Sequence, residues 1–182
     1  MAITSRHLTY RDLAALPDDG KRYELLEGAV YMTPPPSVEH QSNVGELHAW
    51  LHRAQEAGYG RAFVAPIGVL LAEDILVEPD ALFVRRERLA IVGEQYIQGA
   101  PDLVCEVLSP GTRRRDLTIK YQLYARGGVP DYRVVDPTTR AVTCYVLAGG
   151  AYVEAARLTV DDVLASDLFP GITLPVRALF RP

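Results

Sequence analysis

Two hydrophobic rhythms run along the chain, one of period two and one of helical period, and the switches between them mark its elements. RYELLEGAVYM, residues 22 to 32, alternates on both sides of Glu27-Gly28, a two-residue turn of the type hairpins favour. Three prolines at 34 to 36 stop extended pairing, and a helix is expected from Ser37 to Ala57, closed by Gly58. Residues 61 to 71 and 75 to 84, rich in β-branched residues and leucine, predict two strands around a turn at Glu73-Asp74. PDLVCEVLSP, 101 to 110, is a further strand, followed by a helix from Arg113 to Arg126, the strand VPDYRVVDP, and strands near 141 to 147 and 151 to 158. The order β-β-α-β-β-β-α-β-β-β predicts an α/β (α+β) fold: a mixed central β-sheet flanked by helices, with an N-terminal β-hairpin.

The pattern contains one conflict. PDLVCEVLSP sets a carboxylate, Glu106, into the middle of an apolar strand, and burying an unpaired ion costs on the order of several kcal/mol. A compensating group is therefore required. On the following helix, at 100 degrees per residue, Leu117, Ile119, Tyr121, Leu123 and Tyr124 share one arc, while Arg114, Arg115, Thr118, Gln122 and Arg126 lie opposite. Lys120 falls inside the apolar arc, and so does Asp116, one turn earlier in the favourable i, i+4 order. Either Lys120 snorkels past its tyrosine neighbours to water, or it points at a buried anionic site, for which Glu106 is the nearest candidate.

A second acid belongs with the first. In ILVEPDALFV, alternation puts Glu78, Asp80 and Leu82 on one face, so Asp80 shares its face with an apolar neighbour. Two carboxylates at one site repel unless a proton or cation lies between them. Hard oxygen donors of this kind suit Mg²⁺ or Mn²⁺, with Asp80 and Glu106 as the metal ligands.

Composition narrows the classes. The 182 residues, 48% hydrophobic and 23% charged, suit one globular domain over 1–182. No apolar run approaches the roughly 20 residues of a membrane helix, and MAITSRHLTYRDL lacks the apolar stretch of a signal peptide, so a cytoplasmic protein without membrane contact is expected. The two cysteines, Cys105 and Cys144, sit on apolar strand patterns and read as small core residues. A net charge of −4 gives no footprint for avid nucleic-acid binding.

With these residues in view, the sequence closely resembles the Uma2 family of restriction endonuclease-like proteins, a branch of the PD-(D/E)XK nuclease superfamily. The resemblance is carried in order by RYELLEG, TPPPSVEHQ, EPDALFV, APDLVCEVLSP, the D-x-x-x-K-x-x-x-Y of DLTIKYQLY, and GGVPDYRVVDP. It implies that Asp80 is the aspartate of the PD element and Glu106 the second-strand acid, together binding a divalent metal. The usual E-x-K pattern is broken, since Leu108 stands where the lysine belongs. Lys120 looks like the lysine moved to the helix, and Glu24 like the family's additional N-terminal acid. The implied activity is metal-dependent hydrolysis of DNA phosphodiester bonds.

His40 stands on the inward side of its helix with Val44, Leu47 and Leu51. It is either a packing histidine or, matching the family's H-x-x-x-V-x-x-L pattern, a residue at the pocket edge that meets substrate phosphate. Trp50 is expected to pack in a partly exposed position. Arg85, Arg86 and Arg88, and Arg113, Arg114 and Arg115, are either solvated faces or contacts to a nucleic-acid backbone beside the site. Competing classes are a non-catalytic nucleic-acid- or protein-binding module on a nuclease fold, and a hydrolase of another phosphate substrate. By analogy with nuclease-like folds, sheet edges in the strand-rich C-terminal third are expected to support a homodimer.

Overall fold

The computed structural model describes residues 7–181. Chain order begins with α1 (Tyr10–Ala14), then the hairpin β1 (Arg22–Leu26) and β2 (Ala29–Thr33). The hairpin closes at Leu26↔Ala29 over Glu27 and Gly28, both at positive φ (50° and 74°), which is why a glycine is placed there. Helix α2 (Val38–Glu56) starts at Ser37, whose side chain caps the amide of His40.

The two strands expected at 61 to 71 and 75 to 84 are each divided. They become β3 (Gly60–Val64) and β4 (Gly68–Ala72), then β5 (Ile75–Val77) and β6 (Ala81–Arg85). The breaks fall at Pro66 and Pro79, which have no amide to give a ladder. Each break also moves the chain from one sheet to another. β4 and β5, with the short β7 (Tyr96–Gln98), join the hairpin in a five-stranded sheet of order β2-β1-β5-β4-β7. β3 and β6 join β8 (Leu103–Val107), β9 (Asp131–Asp136), β10 (Ala141–Ala148) and β11 (Ala151–Leu158) in a six-stranded sheet of order β11-β10-β9-β8-β6-β3.

Within the larger sheet β8 and β9 are parallel, so the chain must cross over between them. The crossover is α3 (Arg113–Arg115), a π-helical turn (Asp116–Lys120) and α4 (Tyr121–Gly127). The helix expected here exists, but its middle turn is wider than an α-helix, so a uniform 100 degree projection misplaces side chains beside it.

Strand alternation divides the core into two layers. Leu103, Cys105 and Val107 pack toward α2 with Leu47, Trp50 and Leu51, whereas Val104 joins Leu123, Tyr124 and Tyr132 toward α4. Both cysteines are buried, as their pattern indicates. Trp50 corrects the sequence reading: it is 0% exposed, packs edge to face on Phe169 at 5.1 Å, and donates from Nε1 to the carbonyl of Ile172 at 3.0 Å. The cover comes from the segment after β11, whose small ladder of β12 (Val163–Leu164) with β13 (Leu174–Pro175) leaves no extended periodic signature. Among the described residues no helix is long and apolar enough to cross a membrane.

Candidate active site

Glu106 lies on β8, facing the α4 layer, and is 2% exposed. Its Oε1 accepts from Tyr124 Oη at 2.6 Å and lies 2.5 Å from Lys120 Nζ. The lysine, 3% exposed, also contacts Glu24 Oε1 at 2.9 Å and stands 3.9 Å from Asp116. The buried acid is thus matched by an ammonium group delivered from the crossover, and Lys120 does not snorkel to solvent. Asp116 and Lys120 bracket the π-helical turn, which places both inside.

Asp80 sits just before β6, beyond the break at Pro79 rather than within a strand. Its Oδ2 accepts the amide of Val107 at 2.8 Å, and its own amide makes a long 3.4 Å contact to Glu106 Oε2. The two carboxylates therefore meet at the same end of the paired strands. His40, on the first turn of α2, places Nε2 3.2 Å from Asp80 Oδ2. Glu24, on β1, accepts the amide of Glu78 at 2.9 Å and lies 3.2 Å from Arg115. All five anticipated residues, Glu24, His40, Asp80, Glu106 and Lys120, line one cavity of about 230 Å³.

Sequence periodicity missed two contributors. Arg115, projected onto the solvent side, instead lines this cavity with its side chain only 12% exposed and its guanidinium over the ring of Tyr31. Its neighbour Arg114 is exposed. Nothing in an RRR run separates the inward arginine from the outward ones; the excess of acids is the signal that a second cation was needed. Tyr124 was placed correctly on the apolar arc, but its hydroxyl ends on Glu106.

The other arginine cluster is not beside the site. β6 runs antiparallel to β8, with Ala81↔Cys105 and Phe83↔Leu103 in register, so Arg85 lies at the opposite end of the pair from Asp80. There Arg85 and Arg88 each contact the buried carboxylate of Asp102 at 2.9 Å. On the other cluster, Arg113 pairs with Asp136 at 3.0 Å.

Charge in the cavity is unbalanced. Five acids, Glu24, Glu78, Asp80, Glu106 and Asp116, line it with three permanent cations, Arg22, Arg115 and Lys120, and with His40. Burial pushes the Glu106 carboxyl well above the usual range, against the pull of Lys120, and the neighbouring acids add to the rise. Burial would raise Glu24 too, but Lys120 and Arg115 together hold it below its ordinary value. For Lys120 burial acts downward and is outweighed by Glu106, Glu24 and Asp116, so its ammonium form is strongly favoured. Burial lowers His40, yet its bond to Asp80 wins and raises it. Buried Nδ1 of His40 has no hydrogen-bond partner.

Among the described residues no group of three or more His, Cys, Asp and Glu side chains is arranged to hold a metal ion. What converges is a pair of carboxylates with oxygens left over: Asp80 Oδ1, and Glu106 Oε2 with only its long amide contact. Such a pair fits Mg²⁺, which binds through one or two carboxylates and keeps several waters, and does not fit a closed all-protein cage.

The Uma2 family, described as "Putative restriction endonuclease", matches residues 9–177. The chain belongs to the Uma2 family. No curated protein matches it. A crystal structure of a protein from Anabaena variabilis ATCC 29413, described as a "putative nuclease belonging to DUF820", is similar at 20% identity, with 95% of this chain and 97% of that one covered and a TM-score of 0.79. That likeness is one of fold, and it agrees with the mixed α+β fold of sheets flanked by helices that the Uma2 resemblance implies.

Proposed function

We propose that this Uma2 protein is a metal-dependent endonuclease that hydrolyses DNA phosphodiester bonds. The observation that carries the reading is the meeting of Asp80 and Glu106 at one end of β6 and β8, with the ammonium of Lys120 buried against Glu106. Family membership supports the nuclease class. Asp80 and Glu106 would hold Mg²⁺ or Mn²⁺, which when bound supplies positive charge to the scissile phosphate and a water of lowered pKa.

The remaining chemistry belongs to the chain. Lys120 fixes the orientation of Glu106 and sets a permanent positive charge beside the position where charge develops on the phosphate. Tyr124 holds the same carboxylate from the other side. His40, favoured in its cationic form by Asp80, adds positive charge beside that carboxylate. Arg115 adds a second guanidinium charge at the cavity wall.

A second reading is favoured by one observation: Lys120 is already engaged by two carboxylates. On that reading the ion network is a scaffold and the protein is a non-catalytic binding module. Calorimetric titration with Mn²⁺ and nicking of supercoiled plasmid separate the two. Under the nuclease reading the wild type binds Mn²⁺ and nicks plasmid, and Asp80→Asn loses both. A wild-type protein that does not bind Mn²⁺ sinks the nuclease reading; one that binds Mn²⁺ and cleaves only a small phosphodiester reporter redirects it to another phosphate substrate.

A further inference from the structure

β11 is the outermost strand of the larger sheet, paired with β10 on one side alone. Edge strands of soluble proteins are usually blunted by shortness, proline, charged side chains or a bulge. β11 is eight residues long and has no proline or lysine; a bulge and two charges, Glu154 and Arg157, are the only such devices it carries. It also carries Val153, 55% exposed, directly opposite Val146 of β10, 43% exposed.

Both ends of this edge are closed. At one end Tyr121 Oη donates to the carbonyl of Tyr152 at 3.2 Å. At the other the strand stops at Leu158 and the chain turns, with the carboxylate of Asp162 capping the amide of Thr159 at 2.7 Å. The open stretch is therefore Val153 to Leu158, and its midpoint falls between Ala155 and Ala156.

A bulge sets the faces of that stretch. The register steps from Cys144↔Ala156 to Tyr145↔Glu154, so Ala155 is the extra residue. Glu154 then lies opposite Tyr145 and Arg157 opposite Thr143, which puts both charges on one face of the sheet. Val153 and Leu158, opposite Val146 and Val142, share the other face. Among the described residues neither Glu154 nor Arg157 forms an ion pair; Arg157 reaches only Thr139 Oγ1, at 3.5 Å.

We propose that two copies of this chain pair antiparallel through Val153 to Leu158 of β11, about a two-fold axis between Ala155 and Ala156, joining their larger sheets into one. In that register Glu154 stands opposite Arg157 of the partner subunit, and the reverse contact repeats it. Val153 meets Leu158 of the partner subunit on the other face, and the alanines at the axis allow close approach. Slipping by one residue sets Glu154 against a side chain on the wrong face, and slipping by two leaves it without a cation, so charge and face select the same alignment as the open ends. No residue of β10 or β11 lines the candidate active site, so pairing leaves that cavity open, and the proposal stands independently of the nuclease reading.

The test is sedimentation velocity over a concentration series, with circular dichroism to verify folding. The wild type is expected to reach a mass near twice the 20.1 kDa of one chain. Glu154→Arg and Arg157→Glu, each setting like charges opposite each other twice, are expected to weaken association roughly tenfold or more. Combining the two reversals restores it. A wild type that stays monomeric at about 100 µM, well above the micromolar range of specific association, overturns the proposal. So does a dimer indifferent to the single reversals, or a double reversal that fails to recover.

Discussion

The backbone amide of Val107 donates to the carboxylate of Asp80 at 2.8 Å, so the residue after one buried acid holds the other in place. Two acids 26 positions apart in sequence become a single unit through one strand pairing. Their supporting contacts lead to three predictions, and a buried acid elsewhere leads to a fourth.

Lys120 neutralises a site richer in acids than in cations. Lys120→Met leaves Glu24, Glu106 and Asp116 without it and is expected to cost about 3–5 kcal/mol of stability, read by urea denaturation. Plasmid nicking should fall by about 10²–10³-fold. Mn²⁺ affinity, by contrast, should hold or rise, because the cavity becomes more negative; a parallel loss of metal binding would reassign Lys120 to assembling the site.

Arg115 and Arg114 are sequence neighbours with opposite environments. Arg115→Ala is expected to lower nicking by about a hundredfold with Mn²⁺ affinity unchanged, and Arg114→Ala to change neither. Equal effects at the two positions would show that general basicity, not the inward guanidinium, matters.

Tyr124→Phe removes one hydroxyl from Glu106 and leaves the ring in its layer. A hydrogen bond to a charged group is worth about 1.5–3 kcal/mol, so the urea midpoint should fall by a corresponding amount while the far-ultraviolet spectrum is preserved. Nicking should decline with it, since Glu106 loses the contact opposite Lys120.

Away from the site, Asp131 gives a pH dependence. Burial raises its carboxyl to about 6 from an ordinary 3.8, with Arg133 and Ser166 pulling it down less strongly. Between those values the folded state keeps a proton that the unfolded chain has released. Stability from this group is therefore full below about pH 4 and is lost as pH rises toward 6. Relative to Asp131→Asn, the wild type should lose on the order of 3 kcal/mol between pH 4 and 7 in denaturant titrations. A constant difference across that range would contradict the shift.

How much of this was legible in the sequence follows from the range of each signal. The hairpin at Glu27-Gly28 and the start of α2 at Ser37 were readable because turn and cap chemistry is local. The convergence of Lys120 on Glu106 was readable because a buried charge demands a partner and the helix offered one inward cation. The splitting of 61 to 71 and 75 to 84 was not, although Pro66 and Pro79 were visible, because apolar runs look alike whichever sheet receives each half. Arg115 escaped because the π-helical turn beside it resets the angular count on which the projection depends. Trp50 escaped because its cover comes from Phe169 and Ile172, more than a hundred residues later and outside any regular period.

That late cover has a bearing on biosynthesis. Phe169, Leu174, Val176 and Leu179 fill the same layer as Leu47 and Trp50. On the ribosome, everything that carries the acids and the lysine has emerged while this layer is still open. A nascent chain halted near residue 160 would present Trp50 to water and to chaperones, and synthesis must pass roughly residue 180 before the interior closes.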